Sequence, residues 1–205
     1  MAAAADHATL AAIELVDVPS GLVALDALVK EAEVALYFAG DIDPGRFLIV
    51  FGGDLASCEA GLAKAIDGGR SDVIESLLLP QAHLLLRAAL SGALTQPSVA
   101  SEAQAALGIL QCHTPTGTLA ATDRALKAAE VSLLRLRFAT DLAGMGHAVL
   151  AGEQADIEAA LEAAEHGAPA GVVVRCRQIA RPAQEVYAAA GQRPQGPRAL
   201  RPLDA

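Results

Sequence analysis

The sequence is poor in aromatic residues and positive charge, and it has no long apolar run. Aromatic side chains make up 3% of its 205 residues and tryptophan is absent, so the stacking platforms used for single-stranded nucleic acid are scarce. The net charge of −9 also opposes binding to phosphate backbones. No apolar stretch approaches the roughly 20 residues of a membrane span. We therefore expect neither a nucleic-acid-binding nor a membrane protein.

Cysteines and catalytic fingerprints are also scarce. The three cysteines, at 58, 112 and 176, form neither a disulfide framework nor a CxxC pair. Residues 1–7 lack the basic start and apolar run of a secretory signal. No GxSxG, HExxH, P-loop or GxGxxG pattern occurs, and the five histidines have no metal-ligand spacing. These absences predict a cytoplasmic protein that is not an enzyme and holds no metal or cofactor.

What the sequence does contain is an internal repeat, in which residues 12–66 and 107–164 share an order of landmarks. Pro19 is matched by Pro115 and Gly45 by Gly144, so the offset grows from 96 to 99 through small loop insertions. We predict a first domain at 9–94, a linker at 95–104, a second domain at 105–190 and a flexible C-terminal tail at 191–205.

Apolar periodicity gives both repeats the order β-α-β-β-α-β. In the first repeat it predicts strands at 12–18, 34–39, 47–51 and 72–79, with helices at 21–32 and from 54. In the second it predicts strands near 107–112, 131–138, 146–151 and 171–179, with helices near 117–129 and 154–166. Each repeat ends in an extra short segment, at 81–94 and 183–190. This order is typical of ferredoxin-like (split βαβ) domains, so we expect two tandem α+β domains.

Several landmarks resemble those of the bacterial microcompartment shell domain. They include Phe-Gly-Gly-Asp at 51–54, Leu-Leu-Pro at 78–80, Asp-Arg-Ala-Leu-Lys-Ala-Ala-Glu-Val at 123–131 and Ile-Ala-Arg-Pro at 179–182. Two fused copies in unpermuted order resemble the tandem-domain shell proteins. The resemblance implies a homotrimer that imitates a hexagonal tile in the shell of a cytoplasmic microcompartment. Its implied partners are hexameric tiles, pentameric vertex proteins and, as candidates, encapsulated enzymes.

The resemblance also implies a central pore that conducts small metabolites and is lined by the hairpin between the second and third strands. The matching residues are Asp41, Ile42, Asp43, Pro44 and Gly45 in the first repeat and Asp141, Leu142, Ala143 and Gly144 in the second. Neither loop has a cysteine, which removes the iron–sulfur cluster that some tandem relatives hold there. Carboxylates repeated around one opening would disfavour anions, although Asp also simply favours turns.

Tile-edge contacts are the remaining expectation from the resemblance. Lys30 and Lys127 occupy the position of the family's edge lysine. Arg181 occupies the position of the arginine that precedes the late proline, and His83 occupies an interface position. The counterpart of Arg181 before Pro80 is Leu79, which predicts unequal edges.

Two further arginine pairs lie outside the family motifs. Arg135 with Arg137, and Arg175 with Arg177, should each project from one sheet face. They could attract anions or cargo, or pair with acidic residues of another subunit.

A rival from another class is a soluble ferredoxin-like sensor that binds a small ligand between subunits. Such a sensor would form a discrete oligomer and bind its ligand with measurable affinity. It would never assemble into sheets.

Overall fold

Each repeat folds into a four-stranded antiparallel sheet with two helices packed on it. The computed structural model describes residues 8–94, 106–167 and 174–191. In each sheet the strands of one repeat lie in the order second, third, first, fourth, so a crossover connection joins the first strand of each repeat to the second. This topology confirms the two predicted α+β repeats.

The elements of the first repeat follow the predicted order. They are β1 (Thr9–Leu15), α1 (Val18–Glu31), β2 (Ala35–Ile42), β3 (Arg46–Gly53), α2 (Leu55–Gly69), a 3-10 turn (Arg70–Asp72) and β4 (Val73–Leu79). Next come α3 (Leu84–Leu90), β5 (Ala106–Cys112), α4 (Pro115–Ala128), β6 (Ser132–Phe138), β7 (Gly146–Gly152), α5 (Gln154–His166), β8 (Val174–Ile179) and α6 (Gln184–Gly191).

The first helix of each repeat begins earlier than predicted because its cap lies before the proline. The Asp17 carboxylate accepts the Ser20 backbone N–H at 2.8 Å, and the Thr114 hydroxyl accepts that of Gly117 at 3.0 Å. Proline fits the first helical turn, where its missing N–H costs no hydrogen bond. The Pro-Ser-Gly and Pro-Thr-Gly segments therefore lie in the first turns of helices that were predicted to begin at residue 21 and near residue 117.

The first strand begins at Thr9 and ends at Leu15, about three residues earlier than its predicted range. Every residue of β1 is buried. A strand buried on both faces reads as a continuous apolar run and lacks the alternation used to set its limits.

Where the first helix of each repeat packs on the third strand, a glycine faces a larger residue, and the two repeats place the glycine on opposite sides of the contact. A Cβ added to Gly21 on α1 would lie 2.2 Å from Phe47 Cγ on β3, and one added to Gly146 on β7 would lie 2.3 Å from Thr118 Oγ1 on α4. The large residue therefore comes from the sheet in the first repeat and from the helix in the second. In the first repeat the core between sheet and helices is closed by Ile49, Phe51 and Leu28.

The described chain divides into two compact units, with the boundary between Ala82 and His83. Helix α3 belongs to the second unit, where it packs on α4 and β6. The predicted boundary after Leu94 had placed this segment in the first domain. The predicted linker at 95–104, the start of the last strand at 171–173 and the tail beyond Gly191 lie outside the described residues. None of the described helices has the length and apolar character needed to cross a membrane.

Candidate functional site

The first candidate pore segment is a tight hairpin between β2 and β3. Strand β2 continues to Ile42 and β3 begins at Arg46, so only Asp43, Pro44 and Gly45 form the turn. The Gly45 N–H donates to the Ile42 carbonyl at 2.8 Å. Gly45 has a φ of +96°, a backbone conformation that glycine adopts at little cost. Asp41, Pro44 and Gly45 are exposed and Asp43 is half-buried, whereas Ile42 is 3% exposed and packs inside the unit.

The second hairpin is two residues longer and more strained. Residue pairing aligns Phe38 with Arg135 and Val50 with Val149, so the offset between the repeats increases from 97 to 99 across the turn. Positive φ angles occur at Ala139, Asp141, Ala143 and Gly144. Three of these are not glycine, and each such residue costs on the order of 1 kcal/mol. Strain of this kind persists only where the surrounding structure enforces it, and it clusters at functional sites.

A buried ion pair supports the base of the first hairpin. Glu14 is 0% exposed, and Arg46, at the start of β3, donates from its guanidinium to Glu14 Oε1 at 2.7 Å. Burial raises the pKa of Glu14 and the hydrogen bond to Arg46 lowers it in part. Among the described residues, Oε2 of Glu14 has no hydrogen-bond partner.

Neutral residues hold the same two places in the second repeat. Gln111 pairs with His147 as Glu14 pairs with Leu48. The side-chain amide of Gln111 donates to Met145 Sδ at 3.5 Å. Met145 is the counterpart of Arg46. The pair of Glu14 with Arg46 was not predicted from the sequence, although an acidic residue within an apolar strand is a recognisable signal.

The two predicted edge lysines lie in the last turns of α1 and α4, each bound to the aspartate one turn earlier. Lys30 contacts Asp26 at 2.6 Å, with the two side chains 73% and 60% exposed. Lys127 contacts Asp123 at the same distance, but these side chains are 41% and 3% exposed. The Asp123 carboxylate also accepts the backbone N–H of His83 at 2.7 Å. The two lysine–aspartate pairs therefore differ in exposure, and α3 is part of the difference.

The strand register changes the counterpart expected for Arg181. Leu10 pairs with Leu79 and Leu107 with Ile179, so β4 and β8 end at equivalent residues. Arg181 then matches Gln81, where the sequence had aligned it with Leu79. Arg181 is exposed. His83 caps α3 by accepting the Leu85 N–H through Nδ1 at 3.3 Å, and desolvation lowers the pKa of its imidazole.

The four paired arginines share one face of the second sheet. One row of paired residues across β6, β7, β5 and β8 consists of Arg137, His147, Gln111 and Arg175. The next row on the same face consists of Arg135, Val149, Ile109 and Arg177. The sequence predicted each pair on one face, and the register adds that both pairs and His147 share it. Desolvation, with the charges of Arg135 and Arg137, lowers the pKa of His147.

The thiols of the described chain are buried. Desolvation raises the pKa of Cys58 to about 11 and that of Cys176 to about 12, so neither thiolate is accessible near neutral pH. Within the described ranges, no cluster of three or more histidine, cysteine, aspartate or glutamate residues could hold a metal ion.

Comparison with known proteins gives consistent matches. The model of the BMC domain family matches residues 9–82 and 106–182. The bacterial microcompartment shell protein PduT of Citrobacter freundii is 31% identical over 176 residues, which cover 85% of this chain and 93% of that protein.

Two solved structures share the fold. A microcompartment protein from Desulfitobacterium hafniense aligns with a TM-score of 0.73 and 24% identity, over 88% of this chain and 98% of that one. A fused permuted hexameric shell protein from the RMM microcompartment aligns with a TM-score of 0.56 and 22% identity, over 77% and 82% of the two chains.

Proposed function

Because the chain belongs to the BMC domain family of microcompartment shell proteins, we propose that it forms a trimeric facet tile with a central metabolite pore. Three chains with two repeats each would present six similar domains around one axis. The observation that carries this proposal is the 31% identity to a shell protein along nearly the whole of both chains. The tile would pack edge to edge with other shell proteins and have no catalytic role.

The hairpins of the two repeats would alternate around the opening. The first contributes Asp41 and Asp43, and the second contributes Asp141. Asp41 and Asp141 are exposed, and three symmetry copies of each carboxylate would add their fields inside a confined opening. The proposed mechanism is diffusion through this opening, with anions disfavoured relative to neutral molecules of the same size.

Replacing Asp43 and Asp141 by Asn tests the charge filter. In shells that enclose a reporter enzyme, entry of an anionic substrate should rise about tenfold at low salt relative to a neutral substrate of equal size. The gain should shrink near physiological salt, where charges are screened beyond about 8 Å. An anion-to-neutral ratio unchanged by the substitutions would refute the filter. Asp54→Asn, at the start of α2, is the matched control.

The ligand-sensor alternative is not favoured. The relatives found by sequence and by structure are microcompartment proteins. A sensor would show saturable binding of a small molecule, and calorimetry of the purified protein would detect it.

A further inference from the structure

Two glutamates lie opposite each other on neighbouring strands of the first sheet. Glu14 on β1 pairs with Glu75 on β4, and directly opposed side chains of an antiparallel pair have Cβ atoms about 4.5–5.5 Å apart. Glu14 is buried and Glu75 is half-buried. Two ionised carboxylates this close repel each other, and burial strengthens the repulsion. The same places in the second repeat hold Gln111 and Arg175, which carry no such repulsion.

Arg46 satisfies only one of the two carboxylate oxygens of Glu14. Its guanidinium donates to Oε1 at 2.7 Å, whereas Oε2 is buried and receives no hydrogen bond from any described residue. A buried polar atom without a partner is costly. A proton on Oε2 would remove this cost, because it neutralises the carboxylate and makes Oε2 a hydrogen-bond donor. Glu75, on the adjacent strand, offers the acceptor.

The charges around Glu14 favour the uptake of one positive charge. Within the described part of the chain, the charges that act on Glu14 belong to Arg46 and Glu75. The other residues in its row across the sheet, Leu48 and Gly40, are uncharged. Two carboxylates and one guanidinium have a net charge of −1, which one bound proton brings to zero. Like charges at such short range do not both ionise readily, so two carboxyl groups often share a proton.

We propose that Glu14 and Glu75 form a binding site for one proton, which is bound to Oε2 of Glu14 and donated to the Glu75 carboxylate. Oε1 of Glu14 keeps its hydrogen bond from Arg46, because the carbonyl oxygen of a neutral carboxyl group still accepts. The proton therefore binds without a change in the pairing of the strands.

The pKa of Glu14 agrees in direction with such a site. Burial raises this pKa, the hydrogen bond from Arg46 and its charge lower it, and the charge of Glu75 raises it. Burial acts on Glu14 alone, whereas donation of the proton requires Glu75. The two causes can therefore be separated by changing Glu75.

The proton site lies at the base of the first hairpin. Arg46 begins β3 directly after Gly45, and it joins the hairpin to Glu14. Occupancy of the site adds one positive charge per chain beside the loop that carries Asp41 and Asp43. This consequence rests on the proposed pore, around which three chains would add three such charges. Anions should then be disfavoured less strongly as the pH falls.

Carbon-13 NMR of protein labelled at its glutamate side chains tests the site without an assembled tile. The Glu14 signal is identified by its loss in Glu14→Gln and is followed against pH. In Glu75→Gln it should titrate at lower pH than in the wild type, because the new amide removes a charge and can donate to the ionised Oε2. Glu59→Gln alters an exposed residue of α2 and should leave the titration unchanged. If Glu75→Gln also leaves it unchanged, burial alone holds the proton and the inference fails.

A second measurement uses the wild type alone. Replacing sodium by potassium at constant ionic strength should not move the Glu14 titration, because the site takes a proton. A titration that depends on which of the two ions is present would assign the site to a metal cation and overturn the inference.

The consequence for the pore is measured separately, in shells that enclose a reporter enzyme. Entry of an anionic substrate relative to a neutral one should rise as the pH falls through the Glu14 titration, and it should rise much less in Glu75→Gln. The free reporter enzyme at each pH is the control. A ratio that does not follow the titration would refute the effect on the filter and leave the proton site standing. Shells without a pore would overturn the tile and leave the NMR result unaffected.

Discussion

Removing Arg46 should destabilise the first unit through the carboxylate it leaves behind. The Glu14 side chain is 0% exposed and that of Arg46 is 34% exposed, with 2.7 Å between the paired atoms. Arg46→Met keeps the aliphatic part of the side chain but removes the charge and the hydrogen bond. It also copies the second repeat, where Met145 stands at this place.

The expected cost is about 3 kcal/mol at neutral pH. Breaking a buried ion pair by removing one partner typically costs about 3–5 kcal/mol, and the low end applies because Arg46 is partly reached by water. A loss of this size is a large fraction of the stability of a small unit. It should shrink on acidification, because protonation removes the unpaired charge of Glu14.

Urea denaturation followed by circular dichroism measures this loss. The double variant Glu14→Gln with Arg46→Met reproduces the Gln111–Met145 pair and should recover most of the lost free energy of unfolding, since no buried charge remains. Lys30→Met breaks an exposed pair and should cost only about 0–0.5 kcal/mol. The reasoning is refuted if the double variant is as unstable as Arg46→Met, or if Arg46→Met costs no more than Lys30→Met.

Two further predictions concern pH and packing. Burial raises the pKa of Glu14 in the folded state above its ordinary 4.5. At pH values between 4.5 and the raised pKa, the folded state therefore binds more protons than the unfolded state. The contribution of Glu14 to the free energy of unfolding should therefore fall as pH rises through that window, and urea titrations of Glu14→Gln should lack this slope. Gly146→Phe should lose at least about 1–3 kcal/mol, because the added Cβ alone would lie 2.3 Å from Thr118 Oγ1. Adding Thr118→Gly recreates the Gly21–Phe47 pair and should raise the thermal midpoint again, whereas a midpoint as low as that of Gly146→Phe would contradict the packing account.

The sequence predicted the element order well because apolar periodicity and capping residues are local signals. Asp54, for example, where the sequence predicted a helix to begin, caps α2 by accepting the Ser57 N–H at 2.9 Å. Helix α1 was predicted to start too late because a proline after a strand fits both a turn and a first helical turn. The cap at Asp17 is a local signal, but the predicted strand ran past it to residue 18. The close approach of Gly21 to Phe47 is a tertiary contact, which no local pattern contains.

The arginine row, the packing of α3 and the Glu14–Arg46 pair could not be predicted from local sequence patterns, because each depends on contacts between distant residues. The row that joins Arg137 to Arg175 exists only once four strands are aligned. Likewise, the sequence order of α3 assigns it to the first repeat, while its packing assigns it to the second unit. The buried pair of Glu14 with Arg46 joins residues 32 positions apart, and no local pattern links them.

The most direct test of the tile is electron microscopy of the purified protein, paired with its mass in solution. The account predicts hexagonal particles with the mass of three chains and a central hole, or sheets and tubes built from them. A monomer or dimer without a central hole at all concentrations would contradict it.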